Sequence, residues 1–249
     1  MAAVACGDSA ICPAERGIPP VAVVIPAWNE QDSIGRVIEA LPKVWAQRIV
    51  VADNGSTDRT AEVAQAAGAT VVPAPRRGYG SACLAALAFL QALPPEQQPQ
   101  IVAFIDADFA DFPEQLPLIA GPIALGQADL VIGSRMLKPQ PPGALLPQAV
   151  FGNKLACLLM RILFRQRYTD LGPFRAIRWQ ALKDLNMTDT NFGWTVEMQI
   201  KAAKRRLRVM EVAVDYRPRI GCSKISGTIL GSIRAGYKIL YTIFRHAWG

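Results

Sequence analysis

The amino-acid sequence predicts an α/β fold built on a mostly parallel central sheet that is flanked by helices. From residue 21 onward, short apolar runs alternate with segments of helical periodicity, which is typical of strand–helix–strand units. Polar clusters follow several of the apolar runs, at residues 26–30, 53–58 and 106–111. Because ligands of open parallel sheets bind at the carboxyl ends of strands, these clusters predict a site along one edge of the sheet.

In the first half of the chain, each apolar run ends at residues that stop a strand or begin a turn. Pro26 ends the first strand, and Gly55 lies in the turn after the second. The predicted strands are residues 21–25, 49–52, 70–72, 101–105 and 130–132. The predicted helices are residues 32–41, 80–93 and 113–125, and one that runs from a cap at Thr57 or Asp58 to Gly68.

The second half begins with a proline-rich segment, residues 138–147, which predicts a flexible and extended connection. The elements predicted after it are helices at 148–164 and 195–204, strands at 174–178 and 207–216, and a C-terminal amphipathic helix. The predicted units are a flexible N-terminal segment (1–20), one α/β domain (21–228) with halves 21–135 and 148–228, and the amphipathic helical segment (229–249).

The strongest candidate site is the stretch Ile101–Pro113, in which five apolar residues run directly into three carboxylates. The apolar run predicts a strand that is buried on both faces. Asp106, Asp108 and Asp111 repel one another unless a hard cation lies among them, and a divalent metal commonly binds one or two carboxylates plus substrate phosphates. The alternative is a solvated acidic loop that caps the helix near Pro113, but the buried strand favours a metal-bound diphosphate.

Two further acids follow strands and suit a nucleotide. Glu30 and Asp53 can accept hydrogen bonds from a base or a ribose, whereas for Thr57 and Asp58 we favour the alternative of turn and N-cap chemistry. The segment Arg76–Gly80 enters a helix, so its glycines allow close backbone approach and its arginines suit phosphate oxygens.

Composition disfavours several other classes of function. The five cysteines form no Cys-x-x-Cys pair, so we expect reduced thiols and no zinc site. The single histidine, His246, lies near the end of the chain, which disfavours serine–histidine and cysteine–histidine catalysis. A basic leader and an uninterrupted apolar run of about 18 residues are both missing, so we expect neither a signal peptide nor a membrane-spanning helix.

Charge is distributed unevenly along the chain. Residues 1–149 carry 9 Lys and Arg against 14 Asp and Glu, whereas residues 150–249 carry 18 against 6. An acidic half followed by a strongly basic half indicates a second, anionic partner such as a phosphate or an anionic membrane surface. Nucleic acid is the least supported partner, because recognisable nucleic-acid-binding motifs are missing, and we expect none.

Five segments in this order resemble the family 2 glycosyltransferases of GT-A fold, and in particular the dolichol-phosphate-mannose-synthase-like branch. They are Val-Val-Ile-Pro-Ala-Trp-Asn-Glu (23–30), Asp-Asn-Gly-Ser-Thr-Asp-Arg-Thr (53–60), Arg-Gly-Tyr-Gly (77–80), Asp-Ala-Asp (106–108) and Gly-Ser-Arg (133–135). The resemblance covers about residues 21–228 and implies a GT-A, Rossmann-like sheet.

The resemblance also implies roles for individual residues. Mg²⁺ or Mn²⁺ would bind the donor diphosphate, with Asp106 and Asp108 as its ligands. The residues implied to hold the nucleotide are Pro26, Glu30, Asp53, Arg77, Gly78, Asp106, Ala107 and Asp108. One position departs from the family pattern, because Ala110 stands where the synthases have a glutamine, so Asp111 or water would have to replace that ligand.

On the acceptor side, Asp170 and Glu197 lie where family members have acidic residues. Asp170 precedes a Leu-Gly-Pro turn and is the better candidate for catalysis, whereas an ion pair with a nearby arginine is the alternative for both. The basic stretch 217–224 resembles a phosphate-contacting segment of the synthases. It supplies Arg219, Ser223 and Lys224 as candidate ligands of the acceptor phosphate or the diphosphate, with Arg135 beside them, although basic runs are often only solvated surface.

The predicted function is inverting, metal-dependent transfer of a sugar from a UDP- or GDP-sugar to a membrane-associated acceptor, a polyprenyl phosphate. The rivals are a nucleotidyltransferase that makes nucleotide-sugars and a non-catalytic nucleotide-sugar-binding protein. The nucleotidyltransferase is disfavoured, because residues 26–30 are not a glycine-rich phosphate loop.

The C-terminal helix is predicted to lie on the membrane. Ile229, Ile233, Tyr237, Leu240 and Phe244 recur at helical spacing, apart from the basic residues. Such a helix places apolar side chains at the acyl boundary and cations at anionic headgroups. We therefore expect a cytoplasmic protein that is peripheral on the inner face of the membrane, with packing of the helix on the sheet as the alternative.

Overall fold

The computed structural model describes residues 17–221 and 229–248, with the side chains of the last helix described from residue 235 onward. The strands are β1 (Val21–Ala27), β2 (Ala46–Asp53), β3 (Thr70–Pro73), β4 (Ile101–Phe104), β5 (Leu130–Ser134), β6 (Arg175–Arg178) and β7 (Val209–Ala213). The helices are α1 (Ile34–Ala40), α2 (Thr60–Ala66), α3 (Tyr79–Ala92), α4 (Leu116–Ala124), α5 (Pro147–Phe164), α6 (Trp179–Leu185), α7 (Trp194–Lys204) and α8 (Ile229–Trp248). Short 3₁₀ turns lie at Pro95–Gln97 and Pro113–Gln115.

All seven strands form one sheet in the order β3-β2-β1-β4-β6-β5-β7. Parallel pairs join β3, β2, β1 and β4, and a further parallel pair joins β5 to β7. Strand β6 runs antiparallel between β4 and β5. The predicted fold class, a mostly parallel sheet flanked by helices with a C-terminal helix, is confirmed.

Helices cover both faces of the sheet. Val24 and Phe104 pack toward α3, α5, α6, α7 and α8, whereas the alternating residues Val23 and Ala103 pack toward α1, α2 and α4. Every residue of β4 is buried, as the unbroken apolar run predicts. Side chains on both faces of β4 are therefore packed against helices, and this packing fixes where the acids that follow β4 lie.

Several local features differ from the sequence prediction. Strand β1 continues through Pro26 to Ala27, and Pro26 pairs with Ala52 of β2. Helix α6 was not predicted, because seven residues directly after β6 are too few to show a helical period. The strand predicted at 207–216 is limited to Val209–Ala213, since Tyr216 forms an isolated antiparallel bridge with Asp111. The connection at 138–147 is anchored, because the Gln140 amide bonds Arg135 O, Val214 O and Tyr216 N over 2.9 to 3.0 Å.

Helix α8 packs on α5 and α7, and its inner face buries Thr242 and Ile243. Its outer face exposes four aromatic side chains, which stack in two pairs: Tyr237 with Tyr241 and Phe244 with Trp248. Among the helices in the described part of the chain, α8 included, none combines the length and the apolar character needed to cross a bilayer.

Candidate active site

A cavity of about 650 Å³ opens at the carboxyl ends of β1, β2 and β4. Eight residues predicted from the sequence line it: Pro26, Glu30, Arg77, Gly78, Asp106, Ala107, Asp108 and Arg219. Eight further residues complete the lining: Ala27, Trp28, Asn54, Tyr79, Ala82, Asn191, Phe192 and Lys238. Residues that are far apart in the sequence are thus brought together at the predicted edge of the sheet.

Asp106 lies at the floor of the cavity, directly after the buried end of β4. Its Oδ1 atom is enclosed and has no hydrogen-bond partner among the described residues. Burial raises the pKa of the Asp106 carboxyl to about 7, with repulsion from Asp108 as the second cause. A cation or a further hydrogen-bond donor that entered the cavity would favour the charged form of this carboxylate.

Asp108 is buried, and each of its carboxylate oxygens already has one contact within the protein. Its Oδ1 accepts a hydrogen bond from the Ala110 backbone N–H at 3.0 Å, and its Oδ2 lies 3.3 Å from Nη1 of Arg219. The Ala110 contact fixes the direction of the Asp108 carboxylate, so the acids at 106 and 108 face the same cavity.

The donor set fits a divalent metal that shares its coordination with a ligand. Asp106 supplies an unpartnered oxygen, Asp108 supplies a second carboxylate, and Mg²⁺ is commonly held by one or two carboxylates plus phosphates and water. Within residues 17–221 and 229–248, no three acidic, cysteine or histidine side chains are grouped to hold a metal without other ligands. Asp111 is buried with both carboxylate oxygens unpartnered, and it does not form a three-residue group with Asp106 and Asp108.

Arg219 joins the two acidic sides of the cavity. Its Nη2 lies 2.7 Å from Oε1 of Glu30, and its Nη1 contacts Asp108. The backbone beside it is fixed to residues 105–112, the acidic loop that follows β4, since the Ile220 N–H donates to Asp108 O at 3.0 Å. Arg219 therefore balances charge at the position where a metal and a diphosphate would do so. Ser223 and Lys224 lie outside the described residues.

Arg217 holds the same segment from behind. Its guanidinium lies 3.7 Å from the ring centre of Phe109 and 3.9 Å from that of Phe112, and its Nε donates to Phe109 O at 2.9 Å. Because Arg217 is clamped between two aromatic rings of the acidic loop, it positions Arg219 without reaching into the cavity itself.

Asn54 shapes the loop that carries Arg77 and Gly78. Its amide nitrogen donates to Ala74 O at 2.9 Å and to Arg76 O at 2.7 Å, while its Oδ1 accepts the Gly78 N–H at 2.8 Å. Arg77 then stacks 4.3 Å from the ring centre of Trp28. The sequence motif did not single out Asn54 for this role, although its place in an Asp-Asn-Gly turn is typical of a residue that bonds nearby backbone groups.

The glycines of the Arg-Gly-Tyr-Gly segment lie against the backbone of another loop. A Cβ on Gly78 would collide with the carbonyl oxygen of Thr190, and one on Gly80 would collide with that of Asp189. The protein's own residues 188–192, the cavity loop, thus pack directly against these glycines, and Gly78 also lines the cavity. This loop carries Asn191 and Phe192 into the cavity.

Glu197 forms an ion pair, as the alternative to catalysis predicted, but its partner is Lys201 and not an arginine. Its buried carboxylate accepts hydrogen bonds from Thr188 Oγ1 and the Asp189 N–H, both at 2.7 Å, and pairs with Lys201 Nζ at 2.7 Å. Burial alone would raise the pKa of Glu197, but these contacts outweigh burial and lower it. Glu197 therefore anchors the start of the cavity loop.

Asp170 and Arg135 also pair with each other instead of lining the cavity. Arg135 Nε and Nη2 donate to the two carboxylate oxygens of Asp170, each at 2.8 Å, and the Arg135 backbone N–H makes a third bond of 2.8 Å. Asp170 is completely buried. Because the carboxylate has three donors and no access to the cavity, we revise its predicted role on the acceptor to that of a structural partner of Arg135.

The residues after β2 form turn structure. Asp53 Oδ1 accepts the Ser56 N–H at 3.1 Å, and Asp53 does not line the cavity directly. Asp58 Oδ1 accepts the Thr60 N–H at 3.0 Å at the start of α2, and the Thr57 N–H donates to Asn29 Oδ1 at 2.7 Å. The turn and cap chemistry expected for Thr57 and Asp58 is what the structure contains.

Comparisons with known proteins agree with this architecture. The family model described as "Glycosyl transferase family 2" matches residues 22–186. An uncharacterized glycosyltransferase of Mycobacterium tuberculosis is 40% identical over 218 residues, which span 86% of this chain and 94% of that protein. A dolichyl-phosphate hexose transferase of Haloferax volcanii is 33% identical over 210 residues, 82% of this chain and 86% of that protein.

Among solved structures, the fold is similar to that of glucosyl-3-phosphoglycerate synthase from Mycobacterium tuberculosis, solved in complex with Mn²⁺, uridine diphosphate and glucosyl-3-phosphoglycerate. The TM-score is 0.73 at 23% sequence identity, over 92% of this chain and 80% of that one.

Proposed function

The chain belongs to glycosyltransferase family 2, and from that premise we propose that it transfers a sugar from a UDP- or GDP-sugar to a polyprenyl phosphate at a membrane surface. A divalent cation, Mg²⁺ or Mn²⁺, is the proposed cofactor. The observation that carries the proposal is the enclosed, unpartnered Oδ1 of Asp106 beside Asp108 in the large cavity. A buried carboxylate oxygen without a hydrogen-bond partner is costly unless a ligand completes it.

The metal, held by Asp106 and Asp108, would neutralise charge on the donor diphosphate. The chain's own residues would hold the rest of the donor. Arg77 and Gly78, ordered by Asn54, lie on one side of the cavity, and Pro26 and Glu30 lie on the other. Ala107 lines the floor between the two metal-binding acids, and Asp53 lies behind the turn at the end of β2. We assign the cavity-lining members of this set to the nucleotide, and Asp53 to the support of the turn beside them through its bond from the Ser56 N–H.

Transfer would proceed by a single displacement. An oxygen of the acceptor phosphate attacks the anomeric carbon, and the bond from that carbon to the diphosphate oxygen breaks as its electron pair leaves with the nucleoside diphosphate. Arg219 would stabilise the negative charge that develops on the leaving diphosphate, because its guanidinium already lies between Glu30 and Asp108 at the cavity. Lys224, from the same basic stretch, is assigned with it on sequence grounds.

The phosphate acceptor has one specific support in the geometry. A hydroxyl acceptor needs a general base, whereas a lipid phosphate is already an anion at neutral pH and needs none. Asp170, the acceptor-side acid that the sequence favoured for catalysis, is completely buried and bound by Arg135, so it is not placed to act as such a base. The relative named as a dolichyl-phosphate hexose transferase further favours a polyprenyl phosphate.

Helix α8 supports a location at the membrane surface. Tyr237 and Trp248 are 69% and 78% exposed, and with Tyr241 and Phe244 they form one aromatic line along the outer face of the helix. Aromatic side chains suit the headgroup level, and the basic second half of the chain suits anionic lipid. We propose that this face rests on the inner, cytoplasmic side of the membrane.

The transfer proposal is tested with a panel of UDP- and GDP-sugars, each offered with Mg²⁺ or Mn²⁺ to an isoprenyl phosphate and to 3-phosphoglycerate. We expect labelled sugar on the isoprenyl phosphate and release of the nucleoside diphosphate. Transfer to 3-phosphoglycerate alone would overturn the lipid acceptor, pyrophosphate release from a nucleoside triphosphate would indicate a nucleotidyltransferase, and donor binding without turnover would indicate a binding protein.

The membrane proposal is tested by vesicle co-sedimentation of the full chain. The double variant Tyr237→Ser, Trp248→Ser should bind anionic vesicles more weakly than the wild type, because it removes apolar surface from the aromatic line. Val44, also 69% exposed but on the loop before β2, provides the matched control Val44→Ser. Equal binding by all three proteins would reject the role of α8.

A further inference from the structure

Lys238 connects the outer helix α8 with the cavity. An α-helix turns about 100° per residue, so Lys238 lies about a quarter turn from Tyr237 and the rest of the aromatic line. Its side chain is 29% exposed and lines the cavity together with Asp106, Asp108 and Arg219. One helix therefore presents aromatic rings to the outside and a cation to the candidate active site.

The Lys238 ammonium group has two neighbours, the carboxylate of Asp189 and the ring of Tyr241, whose centre lies 5.6 Å from Nζ. Its Nζ lies 2.8 Å from Oδ2 of Asp189, a carboxylate whose side chain is 8% exposed. The other oxygen of Asp189 accepts the backbone N–H groups of Asn191 at 2.7 Å and Gly193 at 3.2 Å. An ammonium group has three N–H donors, and the ion pair with Asp189 requires one of them.

The other cations of the cavity are arranged for the donor side. Arg219 spans Glu30 and Asp108, and Arg77 stacks on Trp28. Lys238 instead lies on α8, the helix whose outer face we assign to the membrane. An anionic group that arrives from that surface would therefore meet Lys238 at the cavity.

We infer that Lys238 binds the phosphate of the acceptor lipid and holds it beside the donor sugar. The inference rests on the proposed function, because it takes a lipid phosphate as the acceptor. A charge-assisted N–H to phosphate bond has the chemistry that the position offers. Since Lys238 and the aromatic line share one helix, docking of α8 on the membrane and placement of the acceptor phosphate are properties of the same element.

The test must separate phosphate binding from the neutralisation of Asp189. Lys238→Met removes both, whereas the double variant Asp189→Asn, Lys238→Met removes the cation without leaving a buried unpaired carboxylate. Lys238→Arg keeps the charge. Arg245→Met is the matched control, since Arg245 is an exposed cation of the same helix that does not line the cavity.

The probe is a short, water-soluble isoprenyl monophosphate, used without vesicles, and the donor is the nucleotide-sugar found in the panel assay. We expect KM for the probe to rise about ten- to a hundredfold in both Lys238→Met proteins, with little change in Lys238→Arg and Arg245→Met. Direct binding of the probe to the protein with Mn²⁺ and the nucleoside diphosphate should weaken by the same factor, while nucleotide affinity stays near that of the wild type.

Two results would overturn the inference, and only one of them would also overturn the proposed function. If the double variant regains the wild-type KM and probe affinity, Lys238 only neutralises Asp189, and the proposed function stands. If the wild type transfers sugar to no isoprenyl phosphate, the acceptor proposal fails and the inference fails with it.

Discussion

Two arginine–carboxylate pairs in this protein differ in how fully the oxygens of the carboxylates are hydrogen-bonded. Asp170 receives three hydrogen bonds of 2.8 Å from Arg135 and is completely buried. Asp108 lies 3.3 Å from Arg219 at the wall of a cavity, and its neighbour Asp106 retains an oxygen without a partner. Both pairs join residues remote in sequence, but only the second leaves carboxylate capacity that a ligand can complete.

The difference indicates how acids of similar appearance in the sequence divide into structural and functional ones. Buried polar groups normally have hydrogen-bond partners. A buried pair whose atoms all have partners therefore needs no role beyond joining the loops that carry it. An unsatisfied carboxylate at the end of a parallel strand has no such internal explanation, and its cost persists until a ligand binds. The following variants test whether this division holds.

The largest effect is expected at the cavity acids. Asp106→Asn and Asp108→Asn each remove a charge that the metal–diphosphate complex requires, so the transfer rate should fall about a hundred- to a thousandfold. The fold should persist, since neither carboxylate is the anchor of a helix or strand. The assay is the initial rate of sugar transfer, with thermal unfolding as the control. Near-normal rates in both variants would show that the cavity acids are not needed for transfer.

A different kind of loss is expected at the buried pair. Asp170→Asn leaves the Arg135 charge without its partner, and the free energy of unfolding should fall by about 3 kcal/mol or more. The folded fraction should keep its turnover within about tenfold, because loss of a general base costs about a hundredfold or more.

Chemical denaturation and single-turnover kinetics measure these two effects. The double variant Asp170→Asn, Arg135→Met serves as the control, and it should recover part of the stability because the unpaired charge is gone. A loss of turnover of a hundredfold with unchanged stability would return Asp170 to catalysis and favour a hydroxyl acceptor.

A smaller and two-sided effect is expected at Arg219. Arg219→Gln frees Asp108, so Mn²⁺ should bind the nucleotide-free protein about two- to fivefold more tightly. Transfer should nevertheless slow by about tenfold or more, because the leaving diphosphate loses a charged donor. Arg219→Lys, which keeps the charge, is the control. Metal affinity that stays constant in the Gln variant would show that Arg219 does not compete for the acid.

The parts of this architecture that depend on local pattern were predictable from sequence. The run Ile101–Ile105 is apolar at every position, so both its strand and its burial follow from the residues themselves. The acids that follow it, and the clusters after β1 and β2, could be placed at one sheet edge because parallel strands end on the same side. The amphipathic period of α8 was equally visible.

Contacts between remote segments were not predictable in this way. The partner of Asp170 is 35 residues away, and Asn191, Phe192 and Lys238 reach the cavity only through the packing of α7 and α8. The contact of Gly78 with the backbone of Thr190 was likewise not predictable, because the two residues lie more than 100 positions apart in the sequence. Such pairings are decided by tertiary packing, which periodicity does not contain.

The central claim is that Asp106 and Asp108 hold a metal-bound nucleotide while Asp170 does not. The most direct measurement is calorimetric titration of UDP and GDP into the wild type, Asp108→Asn and Asp170→Asn, with Mn²⁺ and then with excess chelator. We predict that one of the nucleotides binds the wild type and Asp170→Asn only when Mn²⁺ is present, and that Asp108→Asn loses this binding. Equal nucleotide affinity in chelator, or loss of binding in Asp170→Asn alone, would contradict the account.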